Sequence, residues 1–235
     1  MTTVYIAAKA PCPRLAKTRL GRTIGHDRAA ALYKAFLQDL AARFAHAPFE
    51  VAWYVTPPDA WNEIGPLVGW ADRPTRVLAQ GAGDWTERQQ ALLRGAAERG
   101  EKTFMVTASD SPHLSVATVA AAGAALDTHD IVVGPTHDGG YYLLGMRGWH
   151  DVLSGVTMST RSALDDILAR AAAARLSVAI LDETFDVDGP DDLPLLRRRV
   201  AEQDDLTHTR AALAALGLDK DVSVDASVDN RAAPS

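Results

Sequence analysis

A chain of 235 residues with 47% hydrophobic and 23% charged side chains has the composition of one globular domain, or at most two, with a substantial buried core. Its formal charge of −6 argues against broad nucleic-acid binding, and its single cysteine, Cys12, excludes an internal disulfide and a multi-cysteine zinc site. No apolar stretch approaches the roughly 20 residues of a membrane helix and no signal-peptide pattern opens the chain, so the expectation is a soluble cytoplasmic protein with neither membrane nor nucleic acid as partner.

In chain order, the first apolar run, Thr3–Ala8, is rich in Val, Tyr and Ile and predicts a strand. CPRLAKTRLG follows almost at once, and here the acidic chain turns basic: up to Arg28, the cations Lys9, Arg14, Lys17, Arg19, Arg22 and Arg28 face only Asp27. From His26 to His46, Leu32, Phe36, Leu40 and Phe44 recur at every fourth position, the single stripe of an amphipathic helix. FEVAWYVTPP predicts a second strand, with Trp53 in the core and Pro57 and Pro58 as its stop, and TRVLAQ a third. Asp84–Arg99 has helical composition, KTFMVTASDSP reads as a central strand ending in a polar turn, and Ser115–Leu126 as a helix. DIVVGP and YYLLGM flank THDGG, a reversal too short for a crossover helix, so one antiparallel strand joins an otherwise parallel sheet. A helix over Thr160–Ala174, a late strand LSVAILDE and one or two helices over Asp191–Leu216 complete the pattern. Alternating strands and helices imply a three-layer α/β/α fold with a mostly parallel mixed sheet, one domain over residues 1–217, and a disordered tail over 218–235.

Ligands of such sheets bind beyond the carboxyl ends of the strands, which singles out four turns. Neither a Walker P-loop nor a Rossmann glycine turn follows the first strand, but Lys17, Thr18 and Arg19 lie just ahead of a helix, where cations and backbone donors suit a di- or triphosphate; a solvated loop paired with surface carboxylates is the other reading. Asp110, in the turn that closes the central strand, is placed to give one oxygen to Mg²⁺ or to cap the next helix. In FDVDGPDDL, alternation along an extended chain points Asp186 and Asp188 the same way, and carboxylates so close favour a cation, whereas Asp191 and Asp192 suit a helix start. In GPTHDGGYYLLG, Gly139 and Gly140 admit a ligand close to the backbone or simply turn a hairpin, and Asp138 or His137 suits an acceptor hydroxyl or a base. Trp85, in QGAGDWTERQ, offers a stacking face for a base or sugar or a place in the core. The histidines lack zinc-hydrolase spacing.

Together these turns resemble a known family. The ordered motifs A-K-A-P-x-P-x-x-x-K-T-R-L, Q-G-x-G-D, S-D-S-P-x-L, G-P-x-x-D-G-G-Y-Y-L-L-G, S-T and D-V-D-x-P-x-D-L, spread over about Thr3 to Arg199, look like the bacterial glycosyltransferase-A-like family of selenodomain-associated transferases. More distantly, they are similar to phospholactate guanylyltransferases and molybdenum-cofactor nucleotidyltransferases. Arg14, Ala108, Trp85-Thr86 and Met158 depart from the family pattern. The resemblance implies a nucleotide-diphospho-sugar transferase fold and a Mg²⁺ or Mn²⁺ ion held by Asp110, with Asp188 as second ligand. It implies that Lys17 and Arg19 contact the donor phosphates; Lys9, Thr18, Gln80, Gly81 and Gly83 lie along the nucleotide, and Asp138, Gly139, Gly140 and Tyr141 near the acceptor. Lys17, Arg19, Asp110 and Asp138 are the residues expected to carry catalysis.

Three functions follow as expectations. The first is nucleotidyl transfer from an NTP to a small phosphorylated or hydroxylated acceptor with release of pyrophosphate. The second is glycosyl transfer from a nucleotide sugar, and the third is nucleotide binding without catalysis.

Overall fold

The computed structural model describes residues 1–69, 74–158 and 160–220. Trp70, Ser159 of the S-T motif and residues 221–235 of the expected tail lie outside the described residues.

One seven-stranded sheet organises the chain in the order β3-β2-β1-β4-β6-β5-β7. Its strands are β1 (Thr3–Lys9), β2 (Glu50–Thr56), β3 (Arg76–Ala79), β4 (Thr103–Ala108), β5 (Ile131–Pro135), β6 (Tyr141–Arg147) and β7 (Val178–Ile180). Pairing is parallel except where β6 runs between β4 and β5, with Val106 opposite Leu144 and Val133 opposite the same residue. The predicted reversal at THDGG is therefore present. The sheet is apolar on both faces because helices cover both. Along β1, Val4 and Ile6 join one core cluster and Tyr5 the other, the period of two expected of a strand.

On the first face pack α1 (Thr18–Ile24), α2 (His26–Phe44), α3 (Trp61–Val68), α5 (Val116–Ala125), α7 (Leu193–Glu202) and α8 (Thr207–Ala215); on the second, α4 (Trp85–Glu98) and α6 (Ala163–Ala173). The α2 stripe is fully buried at Leu32, Phe36, Leu40 and Phe44. Asp39 is buried within α2 because its carboxylate accepts the backbone N–H groups of His208 and Thr209 at 2.9 and 2.7 Å, which caps α8 and docks it.

Two short helices are absent from the sequence pattern. α1 is set off from α2 by Gly25 at φ 92°, so Thr18 and Arg19 stand inside a first helix, with Lys17 at its N-cap, rather than ahead of α2. In α3, Ile64 and Val68 form a one-turn apolar pair inside a Pro- and Gly-rich stretch. The late strand is shorter than expected, since only Val178–Ile180 pairs with β5. Leu218, assigned to the tail by the sequence, is instead buried in the core, and its carbonyl accepts from Arg197 at 3.3 Å. Among the described residues, no helix is long and apolar enough to cross a membrane.

Candidate active site

β1 to β5 end at one edge of the sheet, and β6, running against them, begins there. A cleft of about 430 Å³ lies along this edge. Lys9, Lys17, Thr18, Arg19, Gln80, Asp110, Asp138, Gly140, Tyr141 and Asp188, all singled out by the sequence, line it.

Lys17 is at its centre. The backbone adopts φ 49° and ψ 45°, a left-handed conformation uncommon for a residue with a side chain. The ammonium lies 2.6 Å from Asp110 Oδ1 and 3.3 Å from Asp188 Oδ1, and Arg19 reaches Asp188 at 3.7 Å. Burial opposes the lysine's charge, but Asp110 and Asp188 outweigh it and hold its pKa above the ordinary value. Three stretches of chain far apart in sequence thus meet at one ammonium.

The neighbouring groups fix this meeting. Tyr33 of α2 stands under the lysine, its ring centroid 5.8 Å from the ammonium, and its hydroxyl shares a 2.6 Å hydrogen bond with Ser109. Burial, then the charge of Asp110, pushes that phenol up to about 12. Asp192 accepts the backbone N–H groups of Asp188 and Gly189 at 2.8 and 2.7 Å, which sets the turn that presents Asp188. Asp186, as alternation predicts, shares the cleft with Asp188, while Val187 between them points into the core. Asp186 accepts a hydrogen bond from the Ser111 hydroxyl; desolvation and the adjacent Asp110 push its carboxyl up to about 7. The helix-cap reading of Asp110 is not met: α5 is capped by Ser115, whose hydroxyl oxygen accepts the Thr118 N–H at 3.0 Å.

The glycines divide. Gly140 lines the cleft, whereas Gly81, Gly83 and Gly139 do not. Gly83, at φ 99°, opens the turn into α4, and a Cβ there would meet the Glu87 carboxylate. Gly139, at φ 86°, is pressed against the Arg161 carbonyl, with which a Cβ would collide. Gln80 is buried, donating to the Tyr54 carbonyl at 2.9 Å. Asp138 is exposed, with Oδ1 accepting from Thr136 at 2.7 Å and from the Gly140 N–H at 3.1 Å. His137 is turned away toward Glu183, 3.6 Å distant, and is outside the cleft lining.

Sequence reasoning missed Tyr33, Arg88, Gln89 and Thr136, all of which line the cleft. Trp85, one of its open questions, lines it too.

Among the described residues, no group of three or more acidic, histidine or cysteine side chains forms a complete metal cage. Asp110 and Asp188 nonetheless fit a hard divalent ion that takes its remaining ligands from phosphate and water.

The family model for an uncharacterized protein conserved in bacteria (DUF2064) matches residues 26–160. Among solved structures, a protein of Desulfovibrio desulfuricans G20 with the provisional description nucleotide-diphospho-sugar transferase is 27% identical, with 93% of this chain and 97% of that one covered at a TM-score of 0.82. A nucleotidyl transferase from Methanothermobacter thermautotroptrophicus is 14% identical (86% and 99% covered, TM-score 0.57), and a CMP:2-keto-3-deoxy-manno-octonic acid synthetase complexed with CTP is 13% identical (86% and 98%, TM-score 0.53). These likenesses establish the nucleotide-diphospho-sugar transferase fold. No curated protein matches the chain.

Proposed function

The chain belongs to the bacterial DUF2064 family, and from that premise and the cleft we propose that it is a divalent-metal-dependent nucleotidyltransferase, joining the nucleotidyl part of an NTP to a small phosphorylated or hydroxylated acceptor. The observation that carries this reading is the single ammonium of Lys17 held between Asp110 and Asp188, with Arg19 beside it, in a cleft at the carboxyl edge of the sheet. A nucleotidyl transferase and a CTP-bound synthetase on the same fold support a nucleotide as partner.

In the proposed reaction an acceptor oxygen attacks the α-phosphorus, the bond from that phosphorus to the bridging oxygen of the β-phosphate breaks, and pyrophosphate leaves. Such chemistry rests on positioning and on neutralising charge as it develops. Lys17 and Arg19 bind the phosphates, Lys9 and Thr18 extend that anion site, and Gln80 borders the nucleotide. Asp138 holds the acceptor hydroxyl and takes its proton. Asp110 and Asp188 would hold the divalent ion, which when bound supplies further charge neutralisation at the phosphates.

Glycosyl transfer from a nucleotide sugar is the second reading, favoured by the provisional description of the 27% identical protein. Incubation with each NTP and with a panel of nucleotide sugars, with and without Mg²⁺, separates the two. Pyrophosphate from an NTP supports the first, and nucleoside diphosphate from a sugar donor supports the second. Nucleotide binding that is indifferent to Mg²⁺, with neither product formed, would leave a non-catalytic binder.

A further inference from the structure

The cleft is chemically two-sided. Arg88 stands beside Gln80 at the end of β3, 3.4 Å from its Oε1, and Lys9, Lys17 and Arg19 stand on and after β1. Of Trp85, Gln89, Asp138, Tyr141, Met158 and Ala163, which line another part of the cleft, Asp138 is the one charged residue; Arg88 precedes Gln89 on α4, but its guanidinium is directed to Gln80. Trp85, Tyr141 and Met158 pack there against the apolar cluster under α4 and α6.

Gln89 is out of keeping with that wall. Its side chain is 0% exposed, yet it lines the cleft. Its Oε1 accepts from the Tyr141 hydroxyl at 3.0 Å, and its Nε2 has no hydrogen-bond partner among the described residues. Burial holds the Tyr141 phenol above its ordinary value, so the phenol keeps its proton and is the donor of the pair. The amide oxygen is taken and the amide N–H group is left over. Buried donors without acceptors are unfavourable and uncommon in folded proteins, which makes this one a candidate for a ligand's oxygen.

We propose that Gln89 is a specificity-determining residue that donates from Nε2 to an acceptor oxygen, and that the group bound in this part of the cleft is uncharged and hydroxyl-bearing, a sugar or polyol ring. The proposal rests on the transferase reading above and deepens it. The Asp138 carboxylate disfavours an anion here, while a carboxamide donor, a carboxylate acceptor and an indole face together match a ring with hydroxyls on its rim and C–H groups on its face. Met158, whose Sδ lies 3.4 Å from the Tyr141 hydroxyl, is unbranched and adjusts without backbone change as the ring enters.

Ligand-observed NMR on the full chain tests this with glucose, galactose, mannose, N-acetylglucosamine, glycerol and myo-inositol beside the charged analogues glucuronate and galacturonate, at up to about 10 mM. At least one neutral compound is expected to bind, and to bind more tightly than its charged analogue. Gln89→Leu keeps the volume and Gln89→Glu keeps an acceptor for Tyr141 while removing the donor; both are expected to weaken the neutral ligand about tenfold, measured below the lower melting temperature that each variant shows. Absence of binding by every neutral compound, tighter binding of the charged analogue, or undiminished binding by both folded variants overturns the proposal, and the neutral-against-charged contrast holds without any variant. Calorimetry with the four NTPs separates the two readings. Nucleotide binding without neutral-ligand binding sinks this inference alone, and the reverse sinks the nucleotidyl-transfer reading while Gln89 keeps its role.

Discussion

Lys17 carries two costs, a left-handed backbone of about 1–2 kcal/mol and the burial of its ammonium, and both are offset only because Asp110 and Asp188 meet it. Replacing Asp110 with Ala leaves the lysine paired with Asp188, so the fold is expected to survive while metal-dependent turnover falls at least about 100-fold. Wild-type rates in Asp110→Ala would remove that residue from the mechanism. A second titratable group is structural. His113 stacks on Phe185 at 4.2 Å, and burial, then the nearby charges of Arg199 and Arg43, pushes its pKa down from 6.5 to about 3. The unfolded chain takes up this proton near pH 6.5 and the folded chain refuses it until about pH 3. The contribution is therefore complete above pH 6.5 and lost progressively as pH falls through that window. Urea denaturation of His113→Asn between pH 7 and 4 is expected to fall less steeply with acidification than the wild type; parallel curves would count against the assignment. Lys17, Asp110 and Asp188 were legible in the sequence because charge of the needed sign stood at predicted strand ends. Tyr33, Arg88 and Gln89 were not, because on a helix a polar residue facing a cleft has the same spacing as one facing water.

At the scale of elements, α4 is the part of the scaffold that serves both sides of the cleft, since it bears Arg88 toward Gln80 as well as Trp85 and Gln89. Its start is fixed by a reciprocal pair: Asp84 Oδ1 accepts the Glu87 N–H at 2.9 Å, and the Asp84 N–H donates to Glu87 Oε2 at 2.8 Å. Asp84→Ala is expected to cost about 1 kcal/mol, read from the urea midpoint at unchanged slope. A change of under a few tenths would mean the cap is redundant. The same comparison explains which elements were visible beforehand. The long amphipathic α2 and the apolar strands repeat their pattern often enough to be recognised. The seven residues of α1 and the eight of α3 contain barely two turns, so a pair such as Ile64 and Val68 carries no period. Asp186 and Asp188, one bound to Ser111 and the other to Lys17, could be told apart only once the loop after β7 was folded against the turn after β4.

For the molecule as a whole, the net charge of −6 repels an anion, and in the cleft Lys9, Lys17, Arg19 and Arg88 attract it locally against four lining carboxylates. Calorimetric titration with NTP is accordingly expected to show affinity falling about tenfold between roughly 0.05 and 0.5 M KCl, and salt-independent affinity would detach Lys9, Lys17 and Arg19 from the phosphates. The reversed strand has a further consequence. Most joints of a parallel sheet carry the chain out to a helix before it returns, so a longer joint changes the outer layers. The link from Pro135 to Tyr141 passes through no outer layer and sets Thr136, Asp138 and Gly140 on the cleft, so residues inserted there would stand at its rim. Remodelling what the protein accepts thus requires no change of scaffold, only a few added residues in a single hairpin.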